Sequence, residues 1–299
     1  MDKTDYRKFL RPEVISKLSG MELRARLVVE GFIAGLHRSP YHGFSVEFAE
    51  HRPYMPGDPL KNIDWKVFSR TDRYFVKEFE EETNLKAYLL IDTSGSMGYH
   101  SNGINKLEYA SYLSAALSYL MLKQRDSVGL VLFDQKIQKY LPPKSTLSHL
   151  HVILTHLEQL QPSRSTNISE TLHEMAERIK RRGLIILLSD LFDSPKSILS
   201  GLKHFRHRKH EVILFHILDP KERFFDFSQE AIFKDIETER EISTSPYQIG
   251  DEYRKSVRNW IERFTLECRQ SMIDYVLLDT KVNFDEALFA YLSKRERLF

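Results

Sequence analysis

Asp92, Ser94 and Ser96 stand at alternate positions directly after the apolar run Ala87–Ile91. An acid and two hydroxyls at this spacing put three hard oxygen donors in one turn, and Gly95 lets that turn close. Such oxygens suit Mg²⁺, which prefers an octahedron of hard ligands and usually keeps some waters. Three donors are too few, so the others must come from elsewhere in the chain. Thr166 lies in the polar loop Ser163–Asn167, just ahead of a helical pattern, and Asp190 ends a second apolar run, Leu184–Ser189. Asp193, three residues further on, is a rival; Asp190 is preferred because it directly follows the run. The candidate set is therefore Asp92, Ser94, Ser96, Thr166 and Asp190, with Mg²⁺ (or Mn²⁺ or Ca²⁺) as the ion. Ser and Asp after a strand also cap the next helix by accepting hydrogen bonds from its free N–H groups, and that is the competing reading.

Positioning these residues is the task of the surrounding elements. Unbroken apolar runs of five to seven residues read as strands buried on both faces, as in a parallel sheet. Ala87–Ile91, Val128–Phe133, Leu184–Ser189, Val212–Leu218 and Tyr275–Asp279 have this character, and Lys136–Tyr140 reads as a short edge strand. Helical spacing separates most of them: 106–123, 147–160, 168–179, a helix from Pro195, 250–269 and 284–297. The expected fold is therefore α/β, a doubly wound, mostly parallel six-stranded sheet of Rossmann type with strand order 3-2-1-4-5-6. Asp92 on the first strand and Asp190 on the fourth then flank the topological switch point, where open sheets bind ligands.

Ahead of the sheet, residues 1–85 read as a helix over 12–35 followed by a small β-rich subdomain. Pro12 suits a first helical position and Gly20 weakens the pattern. Phe44–Phe48 and part of Tyr74–Phe79 alternate with a period of two, and Pro56-Gly57-Asp58-Pro59 is a turn signal. The main domain occupies 86–299, with an insertion at about 222–247 that contains a hairpin. Phe224, Phe225 and Phe227 at its start read as packing residues.

The composition bounds the classes of function. The chain has 299 residues, 41% hydrophobic and 29% charged, with a net charge of +2 and one cysteine, Cys268. That charge gives no push towards nucleic acid or an anionic membrane, and a lone cysteine fits a reducing cytoplasm. The N-terminus lacks an apolar signal core, and no apolar run approaches the ~18 residues of a membrane span. The expectation is a soluble cytoplasmic protein without a membrane span or a nucleic-acid partner.

Two resemblances follow. Asp92, Ser94, Ser96, Thr166 and Asp190 match, in order and type, the metal-ion-dependent adhesion site of von Willebrand factor A domains. That resemblance implies a cation held directly or through water, its shell often completed by a carboxylate of the bound partner, and hence a binding module, not an enzyme. Gly35-x-His37-x-Ser39, Gly43-x-x-x-Glu47-Phe48, Arg52-x-Tyr54, Gly57-Asp58 and Ile63-Asp64-Trp65 resemble the N-terminal signature of the bacterial "domain of unknown function 58" family. In that family the block precedes a von Willebrand A-like domain. Relatives are commonly encoded beside MoxR-type AAA+ ATPases, which implies such an ATPase and a client protein as partners, and an adaptor or co-chaperone role.

Other signals are weaker. His37, Asp58 and Asp64 could form an acid–base set, but no spacing ties them to a nucleophile; loop-pinning pairs such as Arg52–Asp58 are favoured. The tract Lys203–His210 invites zinc or nucleic acid, yet basic residues suit a helix C-terminus and no Cys or acid accompanies them. The enzyme rival is a Mg-dependent aspartyl phosphatase or phosphotransferase using Asp92 as nucleophile. Such enzymes usually carry a second acid two residues on, where Ser94 stands here. A structural scaffold with a vestigial metal turn is the remaining alternative.

Overall fold

The computed structural model of the protein describes residues 12–15, 20–36, 52–54, 65–76, 85–101, 103–163, 168–227, 231–234, 241–244 and 246–298. The expected strand at Phe44–Phe48, the turn at Pro56–Pro59, the polar residues His37, Asp58 and Asp64, and Thr166 all lie outside the described residues.

The N-terminal helical pattern resolves into two helices, α1 (Pro12–Ile15) and α2 (Met21–Leu36). The single helix expected over 12–35 is not formed, because Gly20 adopts a left-handed backbone (φ +79°) immediately before Met21. That conformation costs glycine little and breaks helical geometry. Next come β1 (Arg52–Pro53), α3 (Trp65–Thr71) and β2 (Phe75–Val76). The strands β1 and β2 pair antiparallel, and Phe68 stacks on Tyr74 beside them with ring centroids 4.4 Å apart.

The main sheet is built from β3 (Lys86–Asp92), β4 (Ser127–Phe133), β5 (Ile137–Lys144), β6 (Leu184–Ser189), β7 (Glu211–Leu218) and β10 (Asp274–Asp279). Its helices are α4 (Lys106–Lys123), α5 (Leu147–Glu158), α6 (Ile168–Arg178), α7 (Pro195–His207), α8 (Pro220–Phe224), α9 (Pro246–Gln270) and α10 (Asp285–Glu296). Between α8 and α9, β8 (Ala231–Lys234) and β9 (Glu241–Thr244) form the expected antiparallel hairpin. Of the three phenylalanines ahead of it, Phe225 is buried against Tyr253, whereas Phe224 is exposed.

Hydrogen bonding orders the sheet β10-β7-β6-β3-β4-β5. Counted along the chain, this is the expected order 3-2-1-4-5-6, parallel throughout except for β5, which runs antiparallel at the edge. Strands sandwiched between helices must be apolar on both faces, which explains why their sequences are continuous and not alternating. Ala87, Leu89 and Ile91 face one core with α4, α5 and α10; Tyr88 and Leu90 face the other with α6, α7 and α9. Met21, Ala25, Val28, Val29 and Phe32 of α2 join the first of these cores.

The centre of the sheet sets the geometry that follows. β3 and β6 pair in register from Ala87↔Leu184 to Ile91↔Leu188, so Asp92 and Ser189 end their strands side by side. Gly183 permits this approach: a Cβ there would lie 2.4 Å from the Lys86 carbonyl oxygen. The two strand ends meet at the sheet's carboxyl edge, between the parallel neighbours β3 and β6, where the order of the strand connections reverses.

Candidate metal site

Asp92 leaves β3 fully buried, and its two oxygens are held from opposite sides. Oδ1 accepts from the Ser94 N–H at 2.9 Å, which closes the turn, and Oδ2 accepts from the Ser189 hydroxyl at 2.7 Å. Ser189 Oγ accepts in turn from the Leu191 N–H at 2.9 Å. Ser189 therefore ties the first turn to the loop that carries Asp190. Leu191 has a left-handed backbone (φ +60°), costly for a branched side chain, and it turns the chain sharply just past Asp190.

After Asp92 the chain enters a short 3-10 turn, Gly95–Gly98. Ser94 is buried and Ser96 half-buried, and their hydroxyl oxygens lie 3.1 Å apart. The competing reading, that these side chains cap the next helix, is not what the structure shows. Ser94 makes no side-chain capping bond; α4 is capped instead by Asn105, in a capping box with Glu108. The two hydroxyls are thus left facing each other. The 3.1 Å separation is that of a hydrogen bond between the two hydroxyls, and it is also close to the ~3 Å between adjacent corners of a Mg²⁺ octahedron with ~2.1 Å bonds. The donor set is poor in charge, and among the described residues no three His, Cys, Asp or Glu side chains converge as a metal-binding group.

Asp190, also fully buried, follows β6 as expected, but its partner was not foreseen. Its Oδ2 accepts from the Lys106 ammonium at 2.7 Å, and the same ammonium reaches Glu222 Oε1 at 2.6 Å. Burial pulls the Lys106 ammonium down, but Asp190 and Glu222 outweigh it and hold the group above its ordinary value. Burial, then the nearby charge of Asp190, pushes Asp92 up to about 7, against the hydrogen bonds from Ser189 and Ser94. The Asp92 corner is therefore electrostatically under-compensated, whereas Asp190 already has a cation. His216, one strand over, is held neutral by burial at about 3, with Nε2 3.1 Å from the Asp190 carbonyl oxygen.

Thr166 lies outside the described residues, yet both flanks of its loop are pinned at this edge. The Ser163 N–H donates to the Thr93 carbonyl at 2.7 Å, and the Ile168 N–H donates to Asp193 Oδ2 at 3.1 Å. Asp193 Oδ1 accepts from the Ser194 N–H, so both oxygens of this rival ligand serve backbone donors. Of the expected five residues, Asp92, Ser94 and Ser96 come together in one turn, and Asp190 stands at the neighbouring strand end, engaged by Lys106.

The family model described as "Protein of unknown function DUF58" matches residues 50–262. The chain belongs to that family. Among curated relatives, the uncharacterized protein Rv1480 of Mycobacterium tuberculosis (strain ATCC 25618 / H37Rv) is 24% identical over 240 residues, covering 79% of this chain and 75% of that one. Among solved structures, this DUF58 chain is similar to BatB from Bacteroides thetaiotaomicron, 17% identical with a TM-score of 0.48, over 72% of this chain and 100% of that one. It is also similar to the SpRpn10 VWA domain, 10% identical with a TM-score of 0.38, over 69% and 94% of the two chains. The α/β fold described above rests on its own strand pairing.

The basic tract at the end of α7 is locally paired. His204 and Arg208 meet Glu177, Lys203 meets Glu267 at 2.9 Å, and Arg206 meets Glu211 at 2.6 Å. His210 is buried, with Nε2 3.1 Å from the Ile179 carbonyl oxygen. No helix among the described residues is long and apolar enough to cross a membrane.

Proposed function

We propose that this chain is a protein-interaction module whose Asp92–Ser94–Ser96 turn holds a divalent cation, Mg²⁺ or alternatively Mn²⁺ or Ca²⁺. The observation that carries the reading is the Ser94–Ser96 oxygen pair, 3.1 Å apart beside a buried carboxylate and free of capping duty. Ser94 and Ser96 would bind the ion directly. Asp92 would accept from a metal-bound water. Thr166 and Asp190 would complete the protein's share. The ion supplies an electrophilic point for an external carboxylate, since few charged ligands surround it. On this reading a partner's Asp or Glu approaches from the side of Ser96, which is half-buried where Ser94 is buried.

The phosphatase alternative is less well supported. A nucleophilic aspartate needs an oxygen open to a bulky phosphate ester. Asp92 is fully buried, and both its oxygens are already hydrogen-bonded. The family resemblance suggests a MoxR-type AAA+ ATPase as partner and an adaptor or co-chaperone role towards a client protein, acting in the cytoplasm.

The reading predicts metal-dependent association. With the purified ATPase of the same cell immobilised, binding of this chain should weaken at least about tenfold when Mg²⁺ is replaced by chelator, the loss of one charge-assisted contact of ~1.4 kcal/mol or more. Asp92→Ala should weaken it equally in Mg²⁺. Binding of the same strength in chelator and in the variant would remove the metal from the interaction.

A further inference from the structure

Lys106 is the cation that meets the Asp190 carboxylate at this edge. It opens α4, where the helix dipole disfavours positive charge, and its side chain is fully buried. An ammonium withdrawn from water there must be matched by charge, and two carboxylates meet it, Asp190 at 2.7 Å and Glu222 at 2.6 Å. Phe192 adds a ring face 4.7 Å away.

The two carboxylates are not equivalent. Glu222 is fixed: its second oxygen accepts from the Asp219 N–H at 2.9 Å in the capping box that opens α8. Asp219 is itself tied to the loop after the metal turn, accepting from the Ser101 N–H at 2.8 Å. Among the described residues, the second oxygen of Asp190 has a long bond from the Phe192 N–H at 3.3 Å. Lys106 thus has one partner that belongs to the candidate metal set and one anchored outside it. A divalent ion and an ammonium drawing on the same carboxylate repel each other, strongly so where water is excluded.

Resting on the metal reading above, we propose that Lys106 is a built-in competitor for the divalent cation, holding Asp190 when the turn is empty and retained by Glu222 when Asp190 turns to the ion. The pair Lys106–Glu222 then sets how tightly the turn binds metal, and it couples that binding to α8 and the hairpin that follows.

The test is calorimetric titration with Mn²⁺ alone, with the Mn²⁺-induced change in melting temperature as a second readout. Lys106→Met should bind Mn²⁺ about tenfold or more tightly than the wild type, since Asp190 loses its resident cation. Glu222→Gln should bind more weakly by a similar factor, because the ammonium is left with Asp190 as its only charged partner. Lys106→Met strands two buried carboxylates and can fail to fold; the double variant Lys106→Met/Glu222→Gln removes one charge of each sign and should bind more tightly than Glu222→Gln alone. Lys221→Met, which removes a charge next to Glu222 without touching Asp190, should stay within about twofold of wild type. Equal affinities across wild type, Glu222→Gln and the double variant would overturn the proposal and leave the metal reading standing. Absence of Mn²⁺ binding in the wild type and in every variant would overturn both.

Discussion

Mg²⁺ is expected to raise the melting temperature of the wild-type protein, and Asp92→Ala to abolish that rise. An ion that binds only the folded state stabilises it by about 2.7 kcal/mol when its free concentration is a hundredfold above the dissociation constant. Asp92 is the charged member of the turn, and it fixes the turn's shape through Ser94 and the adjoining loop through Ser189. Removing it takes away the charge and the scaffold together. Without metal the variant should still fold, with a loss of about 1–3 kcal/mol from the unsatisfied Ser94 N–H and Ser189 hydroxyl. Asp92→Asn, which keeps the shape, should lose the metal response with a smaller loss of basal stability. Scanning calorimetry with and without Mg²⁺ checks this, and an equal rise in wild type and both variants would contradict it.

The second large effect lies away from the site. Asp126, at the entry to β4, is completely buried; its Oδ2 accepts from Arg295 Nε at 2.8 Å and from the Tyr291 hydroxyl at 3.1 Å. Burial holds its carboxyl above the ordinary value despite these partners. Arg295→Met leaves that carboxylate without its cation and is expected to cost about 3–5 kcal/mol. Asp126→Asn combined with Arg295→Met should recover most of the loss, because the uncompensated charge is gone. Urea unfolding curves of the two variants decide it; a single-variant loss below about 1 kcal/mol would show that the pair does not matter. The effect would carry to the site, since Asp126 leads into β4, the neighbour that brackets Asp92 through Phe133.

The central sheet was legible because parallel strands buried on both faces must be apolar throughout, so Ala87–Ile91 and Leu184–Ser189 announce themselves. Helix α4 was legible to its end residues from its apolar spacing; the capping box of Asn105 and Glu108 at its start is the structure's addition. The N-terminal helix was misread as continuous: spacing alone does not distinguish a helical Gly20 from one with a left-handed backbone. Helix α3 was missed because Trp65–Thr71 is short and rich in aromatic and β-branched residues, whose local preference points to strand. At the site, the oxygens were visible as motif residues, but their partners were not. Ser189 looks like the last residue of a strand, and nothing local says that its hydroxyl bridges two loops. Glu222 could be read as half of a capping box with Asp219, which hides its second role. Lys106 did leave a trace, a lysine at the unfavourable end of a helix dipole, and such a residue implies a carboxylate supplied by another element.

The most direct measurement is anomalous diffraction at the manganese edge from crystals grown in Mn²⁺. The account predicts one strong peak within coordination distance of Ser94 Oγ and Ser96 Oγ, at about 2.0–2.3 Å from each. The electron density of the same crystals should show the Asp190 carboxylate turned towards the peak and Lys106 retained by Glu222. An empty turn at saturating Mn²⁺, with Lys106 still on Asp190, would contradict the account.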